Sequence, residues 1–89
     1  MAEAMETRKK RLLYQSGHRG TKESDLLLGA FAAAHLQAFD AAQLERFESL
    51  LAENDGDLFD WISGRAAPPD EKMTDVLRLL LRFRFPGAA

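Results

Sequence analysis

The stretch His18-Arg19-Gly20-Thr21-Lys22-Glu23 decides how this chain is read, because it separates a basic, apolar-faced first segment from a long Leu/Ala-rich second one. Gly20 carries no Cβ, so the chain can reverse there and Arg19 is expected to project outward. Thr21 and Glu23 fall where a helix begins, and a first-turn carboxylate is favoured there by unpaired amides and the positive end of the helix dipole. This order places Arg19 and Glu23 close together on one surface, a planar donor fork beside two acceptor oxygens. Such a pair suits a docking patch. The same string also arises as a helix-ending glycine followed by the acidic first turn of the next helix, so the flanking sequence must decide.

Outward toward the N-terminus, Thr7 is expected to cap a helix over residues 8–15, with Leu12 and Leu13 inward, Tyr14 at the edge and Ser16-Gly17 as the stop. Residues 1–6 read as a frayed end. The four cations Arg8, Lys9, Lys10 and Arg11 invite a nucleic-acid reading, but they lack interleaved aromatics and a recognition helix.

Toward the C-terminus, residues 22–35 or slightly more form the central helix, with Leu27, Ala30, Phe31, Ala34 and Ala38 on its inner stripe and Leu28 and His35 beside it. A lone histidine at the margin of an apolar stripe is assigned no chemistry. Asp40 and Gln43 form a capping box for a third helix over 41–53, which turns Leu44, Phe47, Leu50 and Leu51 inward. Asn54-Asp55-Gly56-Asp57 then breaks the pattern. Its acidic spacing resembles a calcium loop, but the twelfth position from Asp55 is Ala66 instead of glutamate, which excludes that reading. Asp55 or Asp57 is expected to cap a short fourth helix over 57–63, with Leu58, Trp61 and Ile62 on one face. Gly64 ends it, Pro68-Pro69 fixes an extended link, and Asp70 caps a fifth helix over 71–84 with Met73, Val76, Leu77 and Leu80 as its seam. Leu79, Leu81, Phe83 and Phe85, interleaved with Arg78, Arg82 and Arg84, either expose apolar surface or cover the bundle from another side. The second reading is preferred. Residues 86–89 make a loose tail. No segment reads as a strand, so the expected fold is all-α, a small bundle of about five short helices in one domain.

Composition sets the outer bounds. A chain of 89 residues is one domain and buries only about 60 to 65% of its unfolded surface, so stability is modest. It has no cysteine, hence no disulfide, thiolate metal site or Cys nucleophile. Its longest apolar run, residues 26–36, is too short to span a bilayer, and Glu3 and Glu6 precede the basic cluster where a signal peptide would be apolar. These features suggest a cytoplasmic protein. The first quarter is basic while the stretch from Asp40 to Asp60 is acidic, which can steer a partner or join the two regions within the fold; the latter is preferred. There is no nucleophile elbow, phosphate-cradling loop, dinucleotide fingerprint or metal cluster, so catalysis by this chain is not expected.

Three motifs occur in order: Arg19-Gly20-Thr21-Lys22-Glu23, then Leu26-Leu27-Leu28, then Asp57-Leu58-Phe59-Asp60-Trp61-Ile62, with Phe47-Glu48-Ser49-Leu50-Leu51 between the last two. From about residue 8 to residue 80 the chain resembles the succinate dehydrogenase assembly factor family, the SdhE-type FAD assembly factors. The resemblance implies a small helical chaperone that promotes covalent attachment of FAD to the flavoprotein subunit of succinate dehydrogenase, and of fumarate reductase as well. It implies no tightly bound cofactor in the chaperone itself. Carried over residue by residue, it marks Arg19 and Glu23 as partner contacts and Gly20 as a shape requirement, with His18 and Lys22 as neighbours. Asp57, Leu58 and Trp61 match a second family segment, although Leu58 and Trp61 read mainly as core. Gly17 stands where the family pattern leads one to expect a larger residue, and two glycines flanking His18-Arg19 are expected to loosen the hinge. The alternatives are a regulatory, antitoxin-like protein or nucleic-acid binder using the basic first helix, and a helical scaffold without a specific site.

Overall fold

A computed structural model describes residues 4–83. Its order is α1 (Met5–Ser16), α2 (Lys22–His35), a 3-10 turn (Leu36–Ala38), α3 (Ala41–Leu51), α4 (Asp55–Ser63), a second 3-10 turn (Asp70–Lys72) and α5 (Asp75–Arg82). The fold is an all-α bundle, with no strand among the described residues. α1 packs on α2 and α3, and α5 closes the other side against α3 and α4.

The helix ends follow local chemistry, with several departures from the sequence reading, and α3 ends at Leu51 instead of near residue 53. The capping box forms as expected: Gln43 N–H donates to Asp40 Oδ1 at 2.9 Å and Asp40 N–H to Gln43 Oε1 at 3.0 Å. α1 begins at Met5 instead of near Thr7, so Met5 and Glu6 of the expected frayed end are helical. α4 is capped by Asn54, whose Oδ1 accepts from Asp57 N–H at 2.8 Å, and not by either aspartate. The expected fifth helix is divided: Asp70 starts only a 3-10 turn, and Thr74 caps α5 by accepting from Leu77 N–H at 3.1 Å. Gly64 ends α4 in the left-handed region, φ 80°, as a stop glycine should. Residues 1–3, Arg84, Phe85 and the tail 86–89 lie outside the described residues.

The core joins Leu12 of α1, Leu28 and Phe31 of α2, Leu44 and Phe47 of α3, Leu58 and Trp61 of α4, and Val76, Leu77 and Leu80 of α5. Phe31 is its centre, with ring centroids 5.8 Å from Phe47, 6.4 Å from Phe39 and 5.5 Å, edge-on, from Phe83. His35 completes this aromatic group at 4.7 Å from Phe31. The inner face of α2 differs from the expected stripe: Ser24, Leu28, Phe31 and Ala32 are buried, whereas Ala34 and Ala38 are exposed. This helix is apolar nearly all round, so its neighbours select the buried side. Leu79, Leu81 and Phe83 are half-buried and pack against the core, which matches the covering role preferred for them.

Candidate protein-docking site

At the end of α1 the buried Ser16 hydroxyl donates to Leu12 O at 2.7 Å, and Gly17 N–H reaches Tyr14 O at 3.1 Å. Gly17 has an ordinary backbone, φ −92° and ψ 4°, and a Cβ there would meet only Tyr14 O at 3.9 Å and Leu13 O at 4.0 Å, ordinary contacts. A Cβ placed on Gly29 would stand 3.5 Å from Gly17 Cα, which shows how closely α2 passes the end of α1. Gly20 is different: its φ of 128° lies where side chains with L chirality are strained. The next residue, Thr21, caps α2, and Glu23 and Asp25 stand in the first turn, where the helix dipole favours them.

Arg19 connects this reversal to the turn between α3 and α4. Its Nε donates to Asp55 Oδ1 at 2.8 Å, one terminal nitrogen donates to Leu51 O, and the other to Glu53 O at 2.7 Å. Leu51 O and Glu53 O belong to the end of α3 and the turn after it, where helix carbonyls lack intrahelical partners. The hinge backbone is fastened separately: the N–H groups of Arg19 and Gly20 both donate to Asp25 Oδ1, the latter at 3.2 Å. Asp55 Oδ2 also accepts from Ser24 Oγ at 3.2 Å. One polar network thus joins the hinge to three helix ends, the start of α2, the end of α3 and the start of α4. The Arg19 side chain is only 11% exposed. The expectation that it projects outward is corrected here: its fork has better-placed acceptors inside the protein than in solvent.

The other expected contacts remain outside. His18, Gly20, Lys22 and Glu23 are exposed, and among the described residues the side chains of Lys22 and Glu23 have no partner. The His18 ring stacks on Tyr14 with centroids 3.9 Å apart, and its Nδ1 lies 2.7 Å from Tyr14 O, which requires that nitrogen to carry the proton. Two surface hollows flank the hinge. One of about 310 Å³ is bounded by Thr21, Glu23, Asp55, Gly56 and Phe59. The other, about 490 Å³, is bounded by Tyr14, His18, Arg19, Glu48 and Leu51 among others. Asp55, Asp25 and Ser24 were not marked as site residues from sequence. Asp25 carries a weak signal, an acid one turn into a helix after a reversal, but nothing local ties Asp55 to a residue 36 positions away.

The basic first helix is already engaged within the fold. Arg8 and Arg11 pair with Glu48 at 2.9 and 3.1 Å, and the buried Lys9 ammonium donates to Gln37 O at 2.8 Å. The hydrogen bond from Arg8, then that from Arg11, hold the Glu48 carboxyl below its ordinary range. The basic and acidic regions therefore meet inside the molecule, as preferred from sequence. Among the described residues no His/Asp/Glu group is arranged to hold a metal, and no helix is long and apolar enough to cross a membrane.

The molecule is a small helical bundle with a charged reversal between α1 and α2. The family described as flavinator of succinate dehydrogenase matches residues 10–84, and the chain belongs to that family of assembly factors. It is 48% identical over 80 residues to succinate dehydrogenase assembly factor 2-A, mitochondrial, of Drosophila yakuba, covering 88% of this chain and 49% of that protein. Identity to succinate dehydrogenase assembly factor 2-B, mitochondrial, of Drosophila melanogaster is 45% over 80 residues, covering 88% of this chain and 51% of that protein. The chain thus spans about half the length of the curated relatives it matches. These names overturn the expectation of a cytoplasmic protein, since the relatives are mitochondrial. The absence of cysteine, on which that expectation partly stood, does not distinguish the cytoplasm from an organelle interior.

Proposed function

We propose that this chain is a chaperone without catalysis of its own, which docks on the flavoprotein subunit of succinate dehydrogenase and promotes covalent attachment of FAD there. The observation that supports this most directly is the family match across the hinge: the R-G-x-x-E residues sit in a backbone reversal whose outer side carries Glu23, Lys22, His18 and Gly20. The bond joins a histidine nitrogen of the subunit to the flavin 8α carbon; the nitrogen and the methyl group each give up one hydrogen, and the oxidised flavin, which is both electrophile and oxidant, takes up the two hydrogens and is left reduced. The assembly factor contributes by holding the subunit in a reactive arrangement, with no flavin bound tightly to itself. The flavoprotein subunit of fumarate reductase, which needs the same bond, is served by the same surface. The antitoxin-like or nucleic-acid reading has less support, because Arg8, Lys9 and Arg11 already have internal partners.

The test is covalent flavin fluorescence on a denaturing gel of the flavoprotein subunit, produced with the wild-type chain, without it, and with Glu23→Ala. The wild type brightens the band, and Glu23→Ala, with unchanged helical content, dims it several-fold. Equal bands in all three lanes would rule this function out.

A further inference from the structure

We propose that Asp55 is a positioning residue of the docking surface: it holds Arg19 against the α3–α4 turn so that residues 20–23 are presented in one fixed shape. The inference deepens the docking reading above and rests on it. It divides the R-G-x-x-E motif into a holding residue, Arg19, and a presenting face that includes Glu23.

Several observations converge on Asp55. Each guanidinium nitrogen of Arg19 already has an acceptor, and only the Asp55 carboxylate among those acceptors carries a charge. A charge-assisted bond to one edge of the fork fixes its plane, and the two carbonyls then register its other nitrogens. The same carboxylate accepts from Ser24 Oγ, a side chain buried at the start of α2. The Thr21 and Ser24 hydroxyls lie 2.6 Å apart, so Thr21 can donate to Ser24 while Ser24 donates to Asp55. Asp55 therefore grips the hinge from both ends, through Arg19 before Gly20 and through Ser24 after it. It is not needed to start α4, because Asn54 already supplies that cap. Its position is set by the sharp turn between α3 and α4, and it is not among the residues of the hydrophobic core. The carboxylate also borders the hollow shared with Glu23 and Phe59, so loosening it alters the presented face directly.

Three variants, Asp55→Ala, Asp55→Asn and Glu23→Ala, decide the matter through amide hydrogen exchange of the free chain and through flavinylation of the subunit. In Asp55→Ala the Arg19 and Gly20 amides exchange about tenfold faster, while amides in α3 and α5 keep wild-type rates. Flavinylation falls several-fold at limiting chaperone and recovers when the variant is supplied in excess, as expected for weakened docking. Asp55→Asn, isosteric and neutral, keeps an oxygen for Arg19 Nε and shows a smaller change in the same direction; it decides the matter if the alanine variant loses helical content. Glu23→Ala leaves hinge exchange at the wild-type rate yet lowers flavinylation. Wild-type hinge exchange in both Asp55 variants, or fast exchange with full flavinylation at limiting chaperone, overturns the proposal. If the wild-type chain itself fails to promote flavinylation, the docking reading falls, and the exchange data still report whether Asp55 holds the hinge.

Discussion

Arg19 at the hinge and Phe31 in the core are both largely withdrawn from solvent, but Arg19 is held by three directional bonds to single atoms and Phe31 by rings on four sides. Hydrogen bonds replace bonds to water, so each contributes only about 0.5 to 1.5 kcal/mol net, more when charged, but they fix orientation closely. A buried aromatic contributes about 1.5 to 3 kcal/mol through area alone, with little directional demand. The hinge is thus built for shape and the core for stability, and damage to one should leave a different signature from damage to the other.

The sharpest break in that contrast comes from the core. Phe47→Ala removes a fully buried ring in contact with Phe31 and Phe39, and is expected to cost about 3 to 5 kcal/mol, enough to unfold much of a small domain at 37 °C. Thermal unfolding followed by circular dichroism checks it; a loss under about 1 kcal/mol means that neighbours collapse into the space and the aromatic group is not the main support. A smaller effect belongs to the hinge. Gly20→Ala meets no neighbouring atom but must hold φ near 128°, so the expected destabilisation is about 1 to 2 kcal/mol. Denaturant titration measures that loss, and hydrogen exchange should confine the loosening to residues 17–25. The smallest effect is electrostatic. Glu48 is 40% exposed, so its pairing with Arg8 and Arg11 is discounted to at most about 0.5 kcal/mol. Its folded pKa lies below the unfolded one, so this contribution is complete above the ordinary glutamate range and disappears as pH falls through the lowered value. Wild type and Glu48→Gln should therefore differ slightly at neutral pH and converge in acid; a gap that widens on acidification reverses the sign and refutes the pairing.

The sequence was most readable where one residue type had one good use. Asp40 with Gln43 allowed a single cap, Gly64 a single stop, and Leu44, Phe47 and Leu50 a single inner face of α3. It was least readable where several solutions were locally equivalent. Asn54, Asp55 and Asp57 all make acceptable caps, and Asp70 and Thr74 offer two starts for one helix. α2 is apolar on most sides, so Ala34 and Ala38 looked as suitable for burial as Ala32. At the candidate site the motif indicated where the chain reverses and why Gly20 is needed there. The direction of Arg19 was hidden because its acceptors are main-chain carbonyls and a carboxylate contributed by a distant turn, and no local pattern encodes such a meeting.

The clamp between Arg19 and Asp55 closes a loop across 36 positions and needs α3 to have ended and α4 to have begun. Closing such a loop costs chain entropy that the long-range contacts must first offset. The reversal at Gly20 thus reaches its finished shape only when more than half of the following chain is in place. A nascent or damaged copy carries the same motif in its sequence without the shape that the clamp between Arg19 and Asp55 gives it.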